Sequence, residues 1–208
     1  MSRERPALNR AGMIATALRL LDQVGLDGLT LRGLAKELEV QPAALYWHVE
    51  GKQELLNQMA AAIVEDALRG LDRPRPGQSW DGWLTERART LRVAILARRD
   101  GARLVAGARH IIDRRPTAET MLHSLTAAGF TPPQALQALR AFSHYLFGAI
   151  LDEQATAAAP PLTAEDRFDD VPYLQAALAD RGADHLERQF EYGLSCMLFG
   201  IRSGLVTD

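Results

Sequence analysis

Cysteine, aromatic residues and long apolar runs are all scarce in this chain, and each scarcity excludes something. Cys196 is the sole cysteine among 208 residues, so neither an intrachain disulfide nor a cysteine-built metal site is available. A lone thiol in an apolar helical stretch is expected to be core filler. No run approaches the roughly eighteen apolar residues of a membrane span. The opening MSRERPALNR lacks the apolar segment of a secretory signal, so a cytoplasmic protein is expected. HExxH, Gly-x-Ser-x-Gly and phosphate-binding glycine loops are absent. The histidines at 48, 110, 123, 144 and 185 are scattered. His110 with Asp113, and His144 with Asp152 and Glu153, are the acid–base pairings the spacing allows, too little for a catalytic reading. No enzyme activity, cofactor or metal is expected.

A strong charge of one sign is missing too. The formal net charge is −2; residues 1–52 hold seven Lys+Arg against six acids, a balance of +1 that leaves −3 for the remainder. A basic footprint matters only where it faces phosphate. Arg3, Arg5 and Arg10 read either as a basic arm or as a frayed, solvated tail.

What is present is helical periodicity. With 47% apolar and 24% charged residues the chain has the make-up of a globular protein, and the length to bury a core. Neither a β pattern nor an internal repeat is found, so the fold is expected to be all-α. Asn9 is placed to cap a first helix through Met13, Ala17, Leu18, Leu21 and Val24 that stops at Gly25. From Gly51 a longer helix carries Leu55, Leu56, Met59, Ile63, Val64 and Ala67 at helical spacing and ends at Gly70. Pro74, Pro76 and Gly77 break the pattern. Helices are then predicted at about 80–98, 103–108 and, from a Thr117 cap, 117–128. Thr131-Pro132-Pro133-Gln134 is a strong start signal for a helix reaching about Gln154, with Leu136, Leu139, Ser143, Leu146 and Ile150 as its seam. Residues 155–183 read as a mobile loop with one weak helix after Thr163, and the last helix, about 184–204, carries Gly193, Gly200 and Gly204 along one edge.

The stretch from Leu29 to Lys52, LTLRGLAKELEVQPAALYWHVEGK, is the most informative. Thr30 caps a short helix with Leu31, Leu34, Ala35 and Leu38 on one face, Glu39-Val40 turns the corner, and Gln41-Pro42-Ala43-Ala44 opens a second helix. Two short helices joined this way form a helix-turn-helix, whose second helix offers its first residues to base edges in the major groove. Two amphipathic core helices with an aromatic plug would give the same spacing. Gln41 is the candidate base reader through its amide, and Ala43 and Ala44 suit a thymine methyl beside Pro42. Arg32, Tyr46, His48 and Lys52 are candidate phosphate contacts. The rings of Tyr46 and Trp47 read equally as packing.

The string LYWHVEGKQELL resembles the end of the DNA-binding domain of the tetracycline repressor (TetR) family, with Leu45, Tyr46, Trp47, His48 and Lys52 filling its pattern. Leu29-Thr30-Leu31-Arg32, Leu34-Ala35 and Leu38 match its preceding helix. The resemblance implies a three-helix reading domain over 1–52, a connecting helix at 53–70, and a helical effector-binding and dimerisation domain over 53–208. It also implies a homodimer, here through the helices at about 131–154 and 184–204, on a palindromic DNA operator. Core packing within one chain is the other reading of those two helices.

The resemblance continues through ArgAspGlyAla at 99–102, AlaGlyPhe at 128–130 and the SerHis pair at 143–144, matching the tetracycline-responsive members of the family over about residues 9–155. Where those members have a drug-contacting histidine, asparagine and phenylalanine, this chain has Leu68, Arg87 and Leu91. Their magnesium-ligating histidine and neighbouring threonine fall on Val105 and Ala108, and a contacting glutamine on Met121. Arg109 and His144 are retained, and the acid near the metal-bound water becomes Asp152. Valine has no lone pair for a cation. The expectation is therefore a small-molecule effector other than magnesium–tetracycline, largely apolar, held among Leu68, Leu91, Val105, Met121, Leu125 and Phe147 with Arg87, Arg109 and His144 as polar fixtures. Arg87 reads equally as reaching an acid of a second subunit. The rival to an effector is a body that binds a protein partner and no small molecule.

Overall fold

The computed structural model describes residues 9–108, 115–160, 170–179, 182 and 184–204, and among these every regular element is a helix. Helix α1 (Arg10–Gly28) starts where Asn9 accepts the Gly12 N–H at 2.8 Å. Met13, Ala17 and Leu21 are fully buried, whereas Val24, assigned to the same stripe from spacing, is 41% exposed. The helix does not end at Gly25. Gly25 takes φ 72°, which kinks the helix, and a last turn continues to Gly28.

Helix α2 (Leu31–Glu37) is capped by Thr30, whose hydroxyl accepts the Gly33 N–H at 3.0 Å. Glu39, in the left-handed region at φ 54°, makes the corner, and α3 (Pro42–Leu45) is a single turn with proline in its first position. Helix α4 (Lys52–Ala67) buries Leu55, Met59, Ala60, Ile63 and Val64 and packs against α1. Helices α5 (Trp80–Leu96) and α6 (Gly101–Gly107) both pack on α4 and on each other. Helix α7 spans Arg115–Thr126, so Thr117 lies inside it and is not its cap. A threonine near a helix start is a degenerate signal, and here the chain is already helical two residues earlier.

Helix α8 (Pro132–Ala158) opens with the reciprocal capping of Thr131 and Gln134 and runs four residues beyond the predicted end. Leu139, Leu146 and Ile150 of the predicted seam are buried; Leu136 is 38% exposed. Helix α9 (Pro172–Ala179) occupies part of the segment read as loop, with Pro172 opening a helix instead of breaking one, and Thr163 falls outside the described residues. Helix α10 (His185–Gly204) packs along α8 and buries Phe190, Leu194 and Leu198. Cys196, expected as core filler, is exposed. A Cβ on Gly193 would stand 2.6 Å from the Tyr145 ring, whose hydroxyl donates to the Phe190 carbonyl at 2.5 Å. That glycine is therefore needed for the helix pair to close, at the usual cost of glycine in a helix, about 1 kcal/mol.

The chain forms two compact units, Met1–Ala128 and Gly129–Asp208. None of the described helices is long and apolar enough to cross a membrane.

Candidate functional site

In the first unit the reading surface rests on two anchors. Leu45, fully buried, and Val49, 3% exposed, anchor the short α3, which packs against α2, and the turn after it. Leu45 also gives its carbonyl to the N–H groups of His48 and Val49. With those side chains inside, their neighbours are driven out: Tyr46 is 60% and Trp47 88% exposed, so the packing alternative for the rings does not hold. Gln41, Pro42 and Ala43 are exposed and Ala44 is half-buried. Gln41 is the residue just before α3, and its side chain makes no capping bond, so the amide is not committed to the helix start.

Thr30 spends its hydroxyl on the cap of α2, which leaves Arg32, exposed two residues on, as the solvent-facing charge of that helix start. His48 is half-buried, and its carbonyl accepts from Arg10 Nη2 at 3.3 Å. Arg10 is thus part of α1 and a tie across the head, not an arm; Arg3 and Arg5 lie outside the described residues. Lys52 is exposed in the first turn of α4, with Nζ 3.5 Å from the Leu26 carbonyl. This is one basic group at a helix start, where free N–H groups also point outward.

An ionic network fastens this head to the body, and sequence reading missed it. Asp22 of α1 pairs with Arg98 at 2.6 Å and accepts the Arg99 N–H at 3.2 Å. Asp27 pairs with Arg103 at 3.0 Å, and Arg99 Nη1 donates to the Gln23 carbonyl at 2.7 Å. At its centre Asp100, in the left-handed region at φ 56°, accepts the Leu26 N–H at 2.9 Å and pairs with Arg103 at 3.3 Å. A Cβ on Gly25 would stand 2.9 Å from Asp100 Oδ2, and the φ of 72° at this glycine lies in the left-handed region that favours glycine. The hydrogen bond from Arg103 holds the Asp27 carboxyl below the usual carboxylate range, and the same bond raises the Arg103 guanidinium. The run Arg-Arg-Asp-Gly at 98–101 was a visible signal of charge and tight turning, but its partners lie about seventy-six positions away.

The effector candidates divide between the units. Leu68, Leu91, Val105 and Leu125 are buried in the first unit, each at most 5% exposed, and Met121 is half-buried there. His144 and Asp152 are exposed on α8 in the second unit, and Phe147 is half-buried. Asp152 lines an open groove of about 380 Å³ between α8 and α10 with Tyr145, Glu153, Gln189 and Tyr192. Arg109 lies outside the described residues.

Arg87 is only 3% exposed. Its guanidinium sits 5.1 Å from the centre of the Trp83 ring, Nη1 donates to the Leu71 carbonyl, and Nη2 faces the Met121 sulfur at 3.7 Å. Trp83 Nε1 donates to the same Leu71 carbonyl at 2.9 Å. Burial pushes the Arg87 pKa down to about 10, with Asp72 partly opposing the shift. These contacts are all within one chain, so the guanidinium does not need a second subunit to hold it in place.

A capped helix-turn-helix with exposed reading residues, fastened by ion pairs to a helical body with an apolar interior, defines a DNA-binding regulator. Comparison with known proteins carries this further. Residues 13–59 match the profile of bacterial regulatory proteins of the tetR family, and residues 73–205 match that of the tetracyclin repressor-like C-terminal domain. The chain is 37% identical to the class G tetracycline repressor protein of Vibrio anguillarum over 203 residues, 93% of each chain. Among solved structures it is similar to a possible TetR family transcriptional regulator from Streptomyces coelicolor A3(2), with a TM-score of 0.81, 32% identity and 94% and 99% of the two chains covered. It is also similar to a point variant of TetR from Acinetobacter baumannii AYE in complex with minocycline, with a TM-score of 0.76, 37% identity and 94% and 97% covered. The chain belongs to the tetR family of bacterial regulatory proteins. It is a DNA-binding transcriptional regulator and not an enzyme.

Proposed function

We propose that this protein is a ligand-responsive repressor that binds a palindromic operator as a homodimer in the cytoplasm and is released by a small, largely apolar effector. One observation carries the DNA half of the reading: Tyr46 and Trp47 stand in solvent directly beside the fully buried Leu45, next to exposed Gln41 and Ala43. Folding stability alone gives no reason to expose two large rings in tandem; a base-pair edge and a phosphate do. In this reading Gln41 bonds an adenine edge, Ala43 and Ala44 meet thymine methyls, and Arg32, Tyr46, His48 and Lys52 fix the register on the backbone, with Thr30, Pro42 and Trp47 on the same surface.

A single reading head spans few base pairs, so specificity requires two heads about 34–36 Å apart. Residues 1–52 act as the DNA-binding domain, 53–70 as the connecting helix within an effector and dimer domain of 53–208, and α8 and α10 as the dimer faces. Helix α10 supports this. Opposite its buried Phe190, Leu194 and Leu198 it exposes Tyr192 at 75%, Cys196 and Phe199 at 71%, a second apolar face that a monomer leaves in water.

Leu68, Leu91, Val105, Met121 and Leu125 of the first unit supply apolar lining for the effector, with Arg87 as the polar group among them. Val105 offers no metal ligand, so tetracycline with magnesium does not release this protein. Selection of bound sites from random duplex DNA, repeated with candidate effectors, tests the whole reading. A palindrome lost on addition of one compound is the expected result; a purified chain that stays monomeric at micromolar concentration overturns it. The exposed Val171, Tyr173 and Leu174 of and beside α9 favour a second reading, a protein partner in place of an effector. An effector at a hundred times its dissociation constant stabilises by about 2.7 kcal/mol, which a thermal shift detects.

A further inference from the structure

We infer that the effector carries a carboxylate and that Arg87 is the group that takes it. The inference rests on the effector-responsive reading above and names the chemical class of its ligand. Arginines of the first unit that form ion pairs, such as Arg69 with Asp66, Arg75 with Glu86, Arg98 with Asp22 and Arg103 with Asp27, keep a third or more of their side chains in water. Arg87 is inside, and among the described residues no carboxylate lies within ion-pair distance of it. Buried charges are ordinarily paired, because an interior cation has given up its water.

The groups Arg87 touches are neutral, and Asp72, which bears on it electrostatically, lies beyond ion-pair distance. The Leu71 carbonyl and the Trp83 ring stabilise the charge electrostatically without cancelling it. The Leu71 carbonyl is moreover already bonded by Trp83 Nε1, so the tie between the segment after α4 and α5 exists without a guanidinium. The third partner is the replaceable one. A thioether sulfur is a weak acceptor, and methionine is the most adaptable of the apolar side chains. A carboxylate taking the place of Met121 Sδ at Nη2 turns a 3.7 Å contact to sulfur into a charge-assisted hydrogen bond. The nearby helices contribute buried hydrocarbon, Leu91 one turn along α5 and Leu68 at the end of α4, which suits an apolar remainder.

The test uses the full-length protein, on its selected operator and free, with octanoate, cinnamate and 1-naphthoate, each beside its primary amide. At least one acid is expected to raise Tm and release DNA, binding about ten- to a hundredfold tighter than its amide, the range of one hydrogen bond to a charged group. The preference should vanish in Arg87→Met, weaken in Arg87→Lys, and fade in the wild type as pH falls below the pKa of the acid. If Arg87→Met does not fold, Arg87→Lys and the wild-type acid–amide comparison decide. Acids no better than amides, or an acid preference that survives Arg87→Met, overturn the inference. Release of DNA by amides alone overturns it and leaves the effector-responsive reading standing; release by no compound in a wide neutral and acidic set overturns that reading as well.

Discussion

The reading head and the last helix both put aromatic rings into water, but on different supports. In the head, Tyr46 and Trp47 directly follow a one-turn helix, and the exposed residues at its start are Gln41, Pro42 and Ala43. On α10, Tyr192, Cys196 and Phe199 form a row three to four residues apart along a twenty-residue helix that is already buried on its other side. The first surface offers hydrogen bonds and methyl groups over a few residues, as a nucleic-acid groove requires. The second offers a long apolar ridge, as a like helix requires. Exposure alone thus does not identify a partner; the length and chemistry of the supporting element do.

The comparison breaks most visibly at the anchor. Leu45→Ala should destabilise the first unit by about 2–5 kcal/mol, because a fully buried leucine leaves a cavity; urea unfolding measures it, and a loss under 1 kcal/mol would show that α3 is not held by its core. Next, Tyr46→Ala with Lys52→Ala should weaken operator binding by about ten- to a hundredfold, with Tm unchanged, since two of the proposed backbone contacts go. A flattened salt dependence in the same titration would support the phosphate assignment. On α10, Phe199→Ser should leave the unfolding transition of the subunit within about 0.5 kcal/mol, as for other surface changes. The same variant should shift sedimentation toward monomer, and a dimer as tight as the wild type would move the interface elsewhere.

The smallest effect concerns the head-to-body network. The Asp27 carboxyl is depressed by Arg103, so its contribution is present above its ordinary value of 3.8 and is lost as pH falls below that value toward the lowered one. Asp27→Asn should therefore lower stability slightly at pH 7, with the gap to the wild type closing as pH falls below 3.8, so that the acid limb of a stability–pH curve is flattened. Because both groups are in solvent, salt should remove most of the difference.

Much of this architecture was legible residue by residue. Asn9, Thr30 and Thr131 announce helix starts because a cap is read within three positions of itself, and each side chain makes the bond its position implies. Thr117 was misread for the same reason, since a local signal has no means of saying whether the chain was already helical. The exposure of Val24 and Leu136 was not legible, because periodicity names a stripe but not its edges. The tie from Asp22 and Asp27 to Arg98, Arg99 and Arg103 was beyond sequence reading altogether.

The sequence by itself determined the all-helical class, the reading motif and the family, since these rest on periods and strings spanning at most a few dozen residues. Only the tertiary structure decided what Arg87 is. Its surroundings come from Leu71, sixteen positions back, and Met121, thirty-four positions on. Whether a guanidinium is a solvated surface charge or a cation awaiting its counterpart depends on burial, and burial is set by what the rest of the chain folds around it.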